Sequence, residues 1–325
     1  MKPWVVIVGV VTVSFAILGN VSAQSTKSYP NRPLRMIVPW PAGGWTDILA
    51  RMVGQKLNES FAQPVVIDNR GGAAGIIGAE VAAKATPDGY TTIMASNSIV
   101  LVPSVYAKVP YDVIKDFAPI TLVTSTPYIM LVHPSVPARS VKELIALAKA
   151  HPGQLNYSSS GTGTAPHLGV ELFKSIAGID MVHIPYKGSA PSLNALLGGQ
   201  VSVTLINPTI GLRQVKSGKA RVLAVTTAKR IKAAPDIPTM AEAGVPGVEV
   251  GSWTGLLAPA STSKAIVGRL HTEIVRIIGA PDMQARLQNE GAEPVGMGPD
   301  EFAAYIRNEV TTWAKVVKQA GLRVD

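Results

Sequence analysis

The chain has 325 residues, of which 47% are hydrophobic and 16% are charged, so an intrinsically disordered protein is excluded. It contains no cysteine, which excludes a disulfide scaffold, a thiolate metal site, a cysteine nucleophile and a lipid-modified N-terminal cysteine. The net charge is +9, and at roughly 100 to 200 residues per domain the length predicts two globular units.

The first residues have the pattern of a secretory signal peptide. Lys2 precedes an apolar run over residues 4–18, and small residues at positions 21–23 form a cleavage site. The run is shorter than the ~20 residues that a membrane-spanning helix needs. We therefore expect residues 1–23 to be removed after export, which lowers the net charge to +8 and leaves a periplasmic protein that does not span the membrane. The alternative is an uncleaved N-terminal anchor.

Strands and helices alternate along the remaining chain. Hydrophobic runs predict strands at residues 34–38, 65–67, 90–95, 129–132, 155–158, 181–184, 201–206 and 221–226. Helical spacing and end signals predict helices at residues 47–57, 76–85, 140–150, 166–177, 190–197, 264–278, 281–289 and 299–319. Near-continuous apolar strands alternating with helices are typical of parallel sheets covered on both faces, and the segment after residue 247 is predicted to be mostly helical.

These elements predict an α/β fold of two domains. Domain 1 comprises residues 24–124 and 246–325, with its helical C-terminal tail packed on the first α/β unit, and domain 2 comprises residues 125–245. Two crossing segments, near residues 125 and 245, leave a cleft between the domains. Because ligands of open α/β sheets bind beyond the carboxyl ends of the strands, the loops that follow strands are the candidate functional sites.

The loop after the first strand is a candidate anion site. Its proposed ligand-binding residues are Pro41, Ala42, Gly43, Gly44, Trp45 and Asp47. Two adjacent glycines let backbone N–H groups approach a bound group closely, and the N-terminus of the following helix carries partial positive charge. The alternative is an ordinary strand-to-helix turn in which Thr46 or Asp47 caps the helix.

The loop after the strand at residues 155–158 has the same chemistry in the second domain. It supplies hydroxyl groups and glycine amides ahead of a helix, and its candidate residues are Ser160, Gly161, Thr162, Gly163, Thr164 and His167. Pro166 stands where a dinucleotide-binding fingerprint needs its third glycine, and the Gly-Lys-Ser/Thr ending of a Walker loop is missing. Two opposed loops of this kind suit a carboxylate ligand.

Three further strand ends carry polar side chains that can contribute to the cleft. They are Ser96 with Asn97, Tyr186 with Lys187, and Asn207. Each of these, taken singly, also suits a turn or a hinge.

Catalytic, metal and nucleic-acid sites are not predicted, and no cofactor is expected. Trp253 occupies the nucleophile position of the nearest match to Gly-x-Ser-x-Gly, and the five histidines include no His-Glu-x-x-His pair. Lysines and arginines are scattered singly, unlike a nucleic-acid-binding surface. One enzyme alternative stays open, an exported hydrolase in which His167 activates Ser160, although no third acid is evident to orient the imidazole.

Many short motifs together resemble one receptor family. They include VPWPAGG at 38–44 with Asp47, VIDNR at 66–70, TPDGY at 86–90, PYD at 110–112, residues 157–168, residues 183–188, LGGQ at 197–200, LAVT at 223–226, residues 238–244 and residues 253–260. In this order and over essentially the whole mature chain, the sequence resembles the Bug-type periplasmic solute-binding receptors of tripartite tricarboxylate transporters.

The resemblance implies a two-lobed, type II-like binding protein that closes like a Venus flytrap on a small carboxylate and passes it to membrane permease subunits. It also implies that the carboxylate is held between the two glycine-rich loops, largely by backbone groups and water. We expect a monomer that binds a di- or tricarboxylate or an aromatic carboxylate. A periplasmic sensor that presents its ligand to a signalling partner would have the same sequence features.

Two positions depart from the family pattern. Asn207 stands where receptors for amino acids often carry an acid, so a ligand with an ammonium group is disfavoured. Trp45 stands where many members carry smaller residues, and we hypothesise that its ring stacks on or walls in an aromatic or extended apolar carboxylate. The alternative is that Trp45 packs on the outer face of its loop.

Overall fold

The computed structural model describes residues 29–319, and the signal-peptide prediction lies outside this part of the chain. The strands are β1 (Leu34–Val38), β2 (Val65–Asn69), β3 (Thr91–Ser96), β4 (Phe117–Pro127), β5 (Ile129–Val132), β6 (Asn156–Ser159), β7 (Val182–Pro185), β8 (Val203–Ile206), β9 (Arg221–Val225), β10 (Gly251–Pro259) and β11 (Glu293–Met297). The helices are α1 (Trp45–Phe61), α2 (Ile76–Ala83), α3 (Ser98–Val105), α4 (Val141–Ala150), α5 (Ala165–Ala177), α6 (Ser189–Leu197), α7 (Pro208–Lys216), α8 (Lys264–Gly279), α9 (Pro281–Asn289) and α10 (Pro299–Gln319).

The strands form two sheets, and each sheet is the centre of one lobe. Lobe 1 is built on six strands in the order β11-β4-β10-β3-β1-β2, and lobe 2 on five strands in the order β7-β6-β8-β5-β9. In lobe 1, Leu49 of α1 and Leu270 of α8 are buried in one apolar cluster with Met94 of β3. Leu101 of α3 and Phe302 of α10 belong to a second cluster that continues into lobe 2.

The predicted α/β fold is confirmed, but the prediction of parallel sheets is wrong in part. Strands β2, β1 and β3 run parallel, whereas β10 pairs with β3 and β4 in antiparallel fashion and β4 pairs with β11 likewise. Lobe 2 has the same mixture, because β6 is parallel to β7 and β8 while β5 is antiparallel to β8 and β9. Apolar runs report burial of both faces and carry no information about the direction of the neighbouring strand.

Several elements were not predicted, and β10 is the most consequential. The tail expected to be mostly helical contributes β10 at the centre of lobe 1 and β11 at its edge. Polar residues and glycines interrupt the apolar pattern of β10, and Gly255 is required because a Cβ there would lie 2.4 Å from a ring carbon of Phe302. Strand β4 and helices α3 and α7 were also missed.

The chain crosses between the lobes twice, and one threonine joins the two crossings. The first crossing lies at Tyr128, between β4 and β5, and the second lies between β9 and β10. The Thr226 hydroxyl donates to the carbonyl oxygens of Tyr128 at 3.1 Å and Val250 at 2.5 Å. The exact domain limits given by the sequence remain a prediction. Between residues 29 and 319, no helix combines the length and apolarity needed to span a bilayer.

Candidate functional site

A small cavity of about 30 Å³ lies between the two lobes. Its lining is uncharged and combines polar with apolar side chains, and it consists of Trp40, Gly44, Trp45, Thr46, Ser96, Ser98, Tyr128, Ser160, Pro166, Ser189, Ile206, Asn207 and Ser252. This volume has room for about two water molecules. The lobes are in contact beside it, since a Cβ on Gly44 would lie 2.7 Å from the Ser189 oxygen and a Cβ on Gly188 would lie 2.9 Å from Pro41.

Five helices present their N-terminal ends to this cavity. The lining residues that mark these ends are Trp45 of α1, Ser98 of α3, Pro166 of α5, Ser189 of α6 and Asn207, the N-cap of α7. None of the five N-caps makes a side-chain hydrogen bond into its helix, whereas serines cap α4 and α8. The unpaired first-turn N–H groups and the helix dipoles therefore give an uncharged cavity a positive potential.

In the first glycine-rich loop, Gly44 and Trp45 line the cavity, while Pro41, Ala42 and Gly43 do not. Asp47 is also placed elsewhere: its buried carboxylate accepts hydrogen bonds from Gly43 N, Arg51 Nε and Asn69 Nδ2, each at 3.0 Å. Burial raises the pKa of Asp47, but these three donors outweigh it and hold the pKa below its usual value. These bonds position the loop, and the ligand contact expected of Asp47 stays a prediction.

In the second glycine-rich loop, only Ser160 lines the cavity. Pro166, at the start of the following helix, lines it as well. Gly161, Thr162, Gly163 and Thr164 do not line it, but Gly161 and Gly163 face lobe 1, where a Cβ on each would lie 3.2 Å from Ala74 and from Val105. The Ser160 hydroxyl donates to Thr164 Oγ1 at 3.1 Å, and Thr164 Oγ1 donates to the Gly161 carbonyl at 2.6 Å. Gly161 has a φ of +140°, a conformation that favours glycine.

His167 lies outside the cavity, in a buried aromatic stack. Its ring centroid is 4.0 Å from that of His183, which is 4.9 Å from that of Tyr157. Burial lowers the pKa of His167 to about 4 and the pKa of His183 to about 3. His167 Nδ1 accepts a hydrogen bond from Gly163 N at 3.2 Å, and no carboxylate bonds its ring, so nothing here activates Ser160 as a nucleophile.

The other predicted residues divide between the cavity and its surroundings. Ser96 and Asn207 line the cavity. Asn97 lies beneath it, where its amide donates to the Gly251 carbonyl at 3.0 Å. Tyr186 is half-buried in the apolar cluster of lobe 2 and Lys187 is exposed, so neither reaches the lining.

The sequence reasoning missed eight lining residues: Trp40, Thr46, Ser98, Tyr128, Pro166, Ser189, Ile206 and Ser252. Most of them adjoin a residue that was proposed, so a wider window around each strand end would have included them. Tyr128 and Ser252 are different, because Tyr128 lies at the first crossing and Ser252 belongs to β10, a strand that was not predicted.

Trp45 is buried, with 2% of its surface exposed, and belongs to the apolar cluster of lobe 1. This placement does not agree with a ring lying on the outer face of the loop. Its indole Nε1 has no hydrogen-bond acceptor among the described residues.

A larger cavity of about 480 Å³ lies next to the first crossing, and its lining includes Ser125 and Pro127 together with residues of the segments 227–233 and 288–294. It contains none of the proposed ligand-binding residues. We therefore take the smaller cavity, where the helix ends meet, as the functional site.

Two α/β lobes, two crossing segments and an anion-attracting cavity between the lobes define a bilobal solute-binding protein. The sequence model described as the tripartite tricarboxylate transporter family receptor matches residues 49–322. The chain therefore belongs to the receptor family of the tripartite tricarboxylate transporters, which consists of solute-binding receptors and not of enzymes. This membership confirms the resemblance found in the sequence.

Individual relatives agree with this assignment. Protein BugT of Bordetella pertussis is 35% identical over 320 residues, which span 98% of each chain. The R. palustris structure of Rpa4515 with adipate has 39% identity and a TM-score of 0.88, covering 90% of this chain and 98% of that one. The structure of MatC from Rhodopseudomonas palustris with bound malate has 31% identity and a TM-score of 0.82, covering 89% and 100%.

Proposed function

We propose that this receptor binds a small dicarboxylate in the cavity between its lobes and delivers it to a tripartite tricarboxylate transporter permease. The observation that carries the proposal is the meeting of five helix N-termini, without side-chain caps, at a cavity that has no charged lining residue. A helix N-terminus stabilises a nearby anion by about 0.3 to 1 kcal/mol. Five of them supply about 2 to 5 kcal/mol, and hydroxyl and amide donors add the rest of the ~8 kcal/mol that micromolar binding needs.

The lining also supports a choice among ligand classes. No carboxylate lines the cavity, and the nearest acid in the first loop, Asp47, already accepts three hydrogen bonds. An ammonium group would therefore lack a counter-ion, which disfavours amino acids. Two relatives that are over 30% identical were solved with adipate and with malate, and both of these ligands are dicarboxylates without an ammonium group.

Binding requires the lobes to part, because about 30 Å³ does not accommodate a dicarboxylate. The two crossing segments are the natural hinge, since they are the only backbone connections between the sheets in residues 29–319. Ligand entry and closure then bring the helix ends of both lobes onto the same anion.

Calorimetry on the mature protein would test the proposal with adipate, malate, citrate and benzoate, using glutamate and the uncharged diamide of adipate as controls. We expect saturable binding of a dicarboxylate and no binding of the diamide. A ligand at 100 times its Kd stabilises the protein by about 2.7 kcal/mol, so a thermal-shift screen gives an independent readout. Absence of binding by every carboxylate, or equal binding of the diamide, would contradict the proposal.

We further propose that the receptor is exported, cleaved after Ala23 and present in the periplasm as a monomer. N-terminal sequencing of the protein from a periplasmic extract should begin at Gln24, and light scattering on that sample should give the mass of one mature chain. An intact N-terminus or a stable dimer would contradict this part of the proposal.

A further inference from the structure

Among the four tryptophans in the described part of the chain, one differs from the other three in the hydrogen bonding of its indole N–H. Trp40 Nε1 donates to Ser96 Oγ at 3.3 Å, and Trp253 and Trp313 each donate to Glu309 Oε2 at 3.3 Å. Trp45 Nε1 is buried and has no acceptor among residues 29–319. An unpaired buried donor is destabilising, so nearly all such groups in native proteins have a partner, and an exception needs an explanation.

The position of Trp45 identifies the kind of partner. Trp45 lines the cavity between the lobes and is the first residue of α1, so it lies at one of the five helix ends. An indole N–H can only donate, and its partner must therefore be an acceptor such as a carboxylate oxygen. An ammonium group at the same place would leave two donors facing each other.

The ring is also held in place before a ligand arrives. Trp45 is 2% exposed and lies within the apolar cluster of lobe 1, so little side-chain entropy remains to be lost on binding. We propose that Trp45 Nε1–H donates a hydrogen bond to a carboxylate oxygen of the bound ligand and makes Trp45 a specificity-determining residue. This inference rests on the proposed dicarboxylate function and replaces ring stacking as the role of Trp45.

Calorimetric titration of Trp45→Phe with adipate and malate provides the first test. This variant keeps an aromatic ring and loses the donor, and a hydrogen bond to a charged acceptor corresponds to about a 10- to 100-fold change in affinity. We expect Kd to rise by that factor for every dicarboxylate that the wild type binds. Trp313→Phe, which loses an indole donor on α10 outside the cavity, serves as the matched control and should bind as the wild type does. A Trp45→Phe affinity within twofold of wild type would overturn the inference.

A spectroscopic measurement on the wild-type protein covers the case in which Trp45→Phe fails to fold. The mature chain has four tryptophans, so a ¹⁵N-indole spectrum contains four Nε1–H signals, and single Phe variants at the other three positions identify that of Trp45 by elimination. On saturation with adipate or malate, the Trp45 proton signal should move downfield while that of Trp313 stays in place. A stationary Trp45 signal during confirmed binding overturns the inference and leaves the proposed function intact. If no carboxylate binds to the wild-type protein in calorimetry, the proposed function and this inference are both wrong.

Discussion

The buried carboxylate of Asp47 accepts a hydrogen bond of 3.0 Å from the backbone N–H of Gly43, four residues earlier in the chain. The bond closes the first glycine-rich loop on itself and fixes the residues between them, Gly44 to Thr46, all three of which line the cavity. Gly43 has a φ of +87°, so the turn depends on glycine as well as on the acid. Asp47 therefore acts on the ligand site from behind the loop.

Replacing Asp47 with alanine should loosen this loop. The substitution removes the charged acceptor of Gly43 N and Asn69 Nδ2, although Asn69 Nδ2 keeps its bond to the Trp40 carbonyl. The loss of hydrogen bonds to a charged group predicts a decrease of about 2 kcal/mol in the free energy of unfolding. Urea denaturation should show this loss, and calorimetry should show weaker binding. Arg51→Ala removes only the largely exposed partner of Asp47 and should cost less than half as much. Equal effects of the two variants would argue against the positioning role.

An added negative charge at the cavity should weaken carboxylate binding without unfolding the protein. Asn207→Asp keeps a good N-cap for α7, and the Thr126 hydroxyl that now accepts from Asn207 Nδ2 at 3.1 Å can donate to the new carboxylate. Two like charges at ~4 Å repel by about 4 kcal/mol at an effective dielectric constant of 20. We expect at least a 10-fold loss of dicarboxylate affinity and an unchanged melting temperature.

The control for this variant carries the same charge change on a helix outside the cavity. Ser263 is the N-cap of α8, and Asp is an equally good N-cap, so Ser263→Asp should leave both stability and affinity unchanged. If Ser263→Asp weakens binding as much as Asn207→Asp does, the effect comes from the net charge of the protein and not from the helix ends at the cavity.

The sequence predicted the parts of this site that follow from local chemistry. The adjacent glycines before a helix predicted Gly44 and Trp45 as site residues, and the polar residues at strand ends predicted Ser96 and Asn207. Tyr128 and Ser252 were not predicted, because they reach the cavity only through the pairing of β4 with β10 between residues far apart in the chain. Such pairing leaves no periodic signal in a single segment.

The fold shows the same division between local and long-range information. Short apolar runs predicted β1, β2 and β3 within a residue or two, even though β2 at the edge of the sheet is only partly buried. The antiparallel β10 was missed, because Gly251 and Gly255 lower its apolar density and its neighbour Phe302 is supplied by α10.

The stacked histidines behind the second loop predict a pH dependence of stability. Burial lowers the pKa of His167 to about 4 and that of His183 to about 3, while the unfolded chain protonates both below about pH 6.5. Glu171 next to the stack opposes the shift of His167 and Lys174 reinforces both shifts. The unfolded state then binds more protons, so the free energy of unfolding falls as pH decreases from about 6.5 towards 4.

The free energy of unfolding from urea denaturation should therefore decrease between pH 7 and pH 4.5 by an amount on the order of 2 kcal/mol for each of the two histidines. His183→Gln keeps a polar side chain next to Ser159, whose hydroxyl lies 2.7 Å from His183 Nε2, and removes one titrating group. Its midpoint should change less with pH than that of the wild type. An identical pH profile for the variant would show that other groups cause the loss.

An ion pair between the lobes should favour their closed arrangement. Arg213 of α7 in lobe 2 lies 2.6 Å from the carboxylate of Glu290 in lobe 1, and Thr209 Oγ1 donates to the Glu290 carbonyl at 2.6 Å. Helix α7 begins directly after Asn207, so its position couples this contact to the cavity. Exposed ion pairs contribute about 0 to 1 kcal/mol, which predicts up to a fivefold rise in the Kd for a dicarboxylate in Arg213→Ala.

The control for this variant is an ion pair of nearly the same exposure that lies within one lobe. Arg276 and Glu273 form such a pair within α8, so Arg276→Ala should leave the Kd unchanged. Calorimetry of the wild type and both variants at low and high salt checks this prediction. Salt screens the Arg213–Glu290 pair, so high salt should weaken the wild-type affinity through closure, and Arg213→Ala should lack this part of the salt dependence. Equal affinities for Arg213→Ala and wild type at low salt would show that the contact does not report on closure.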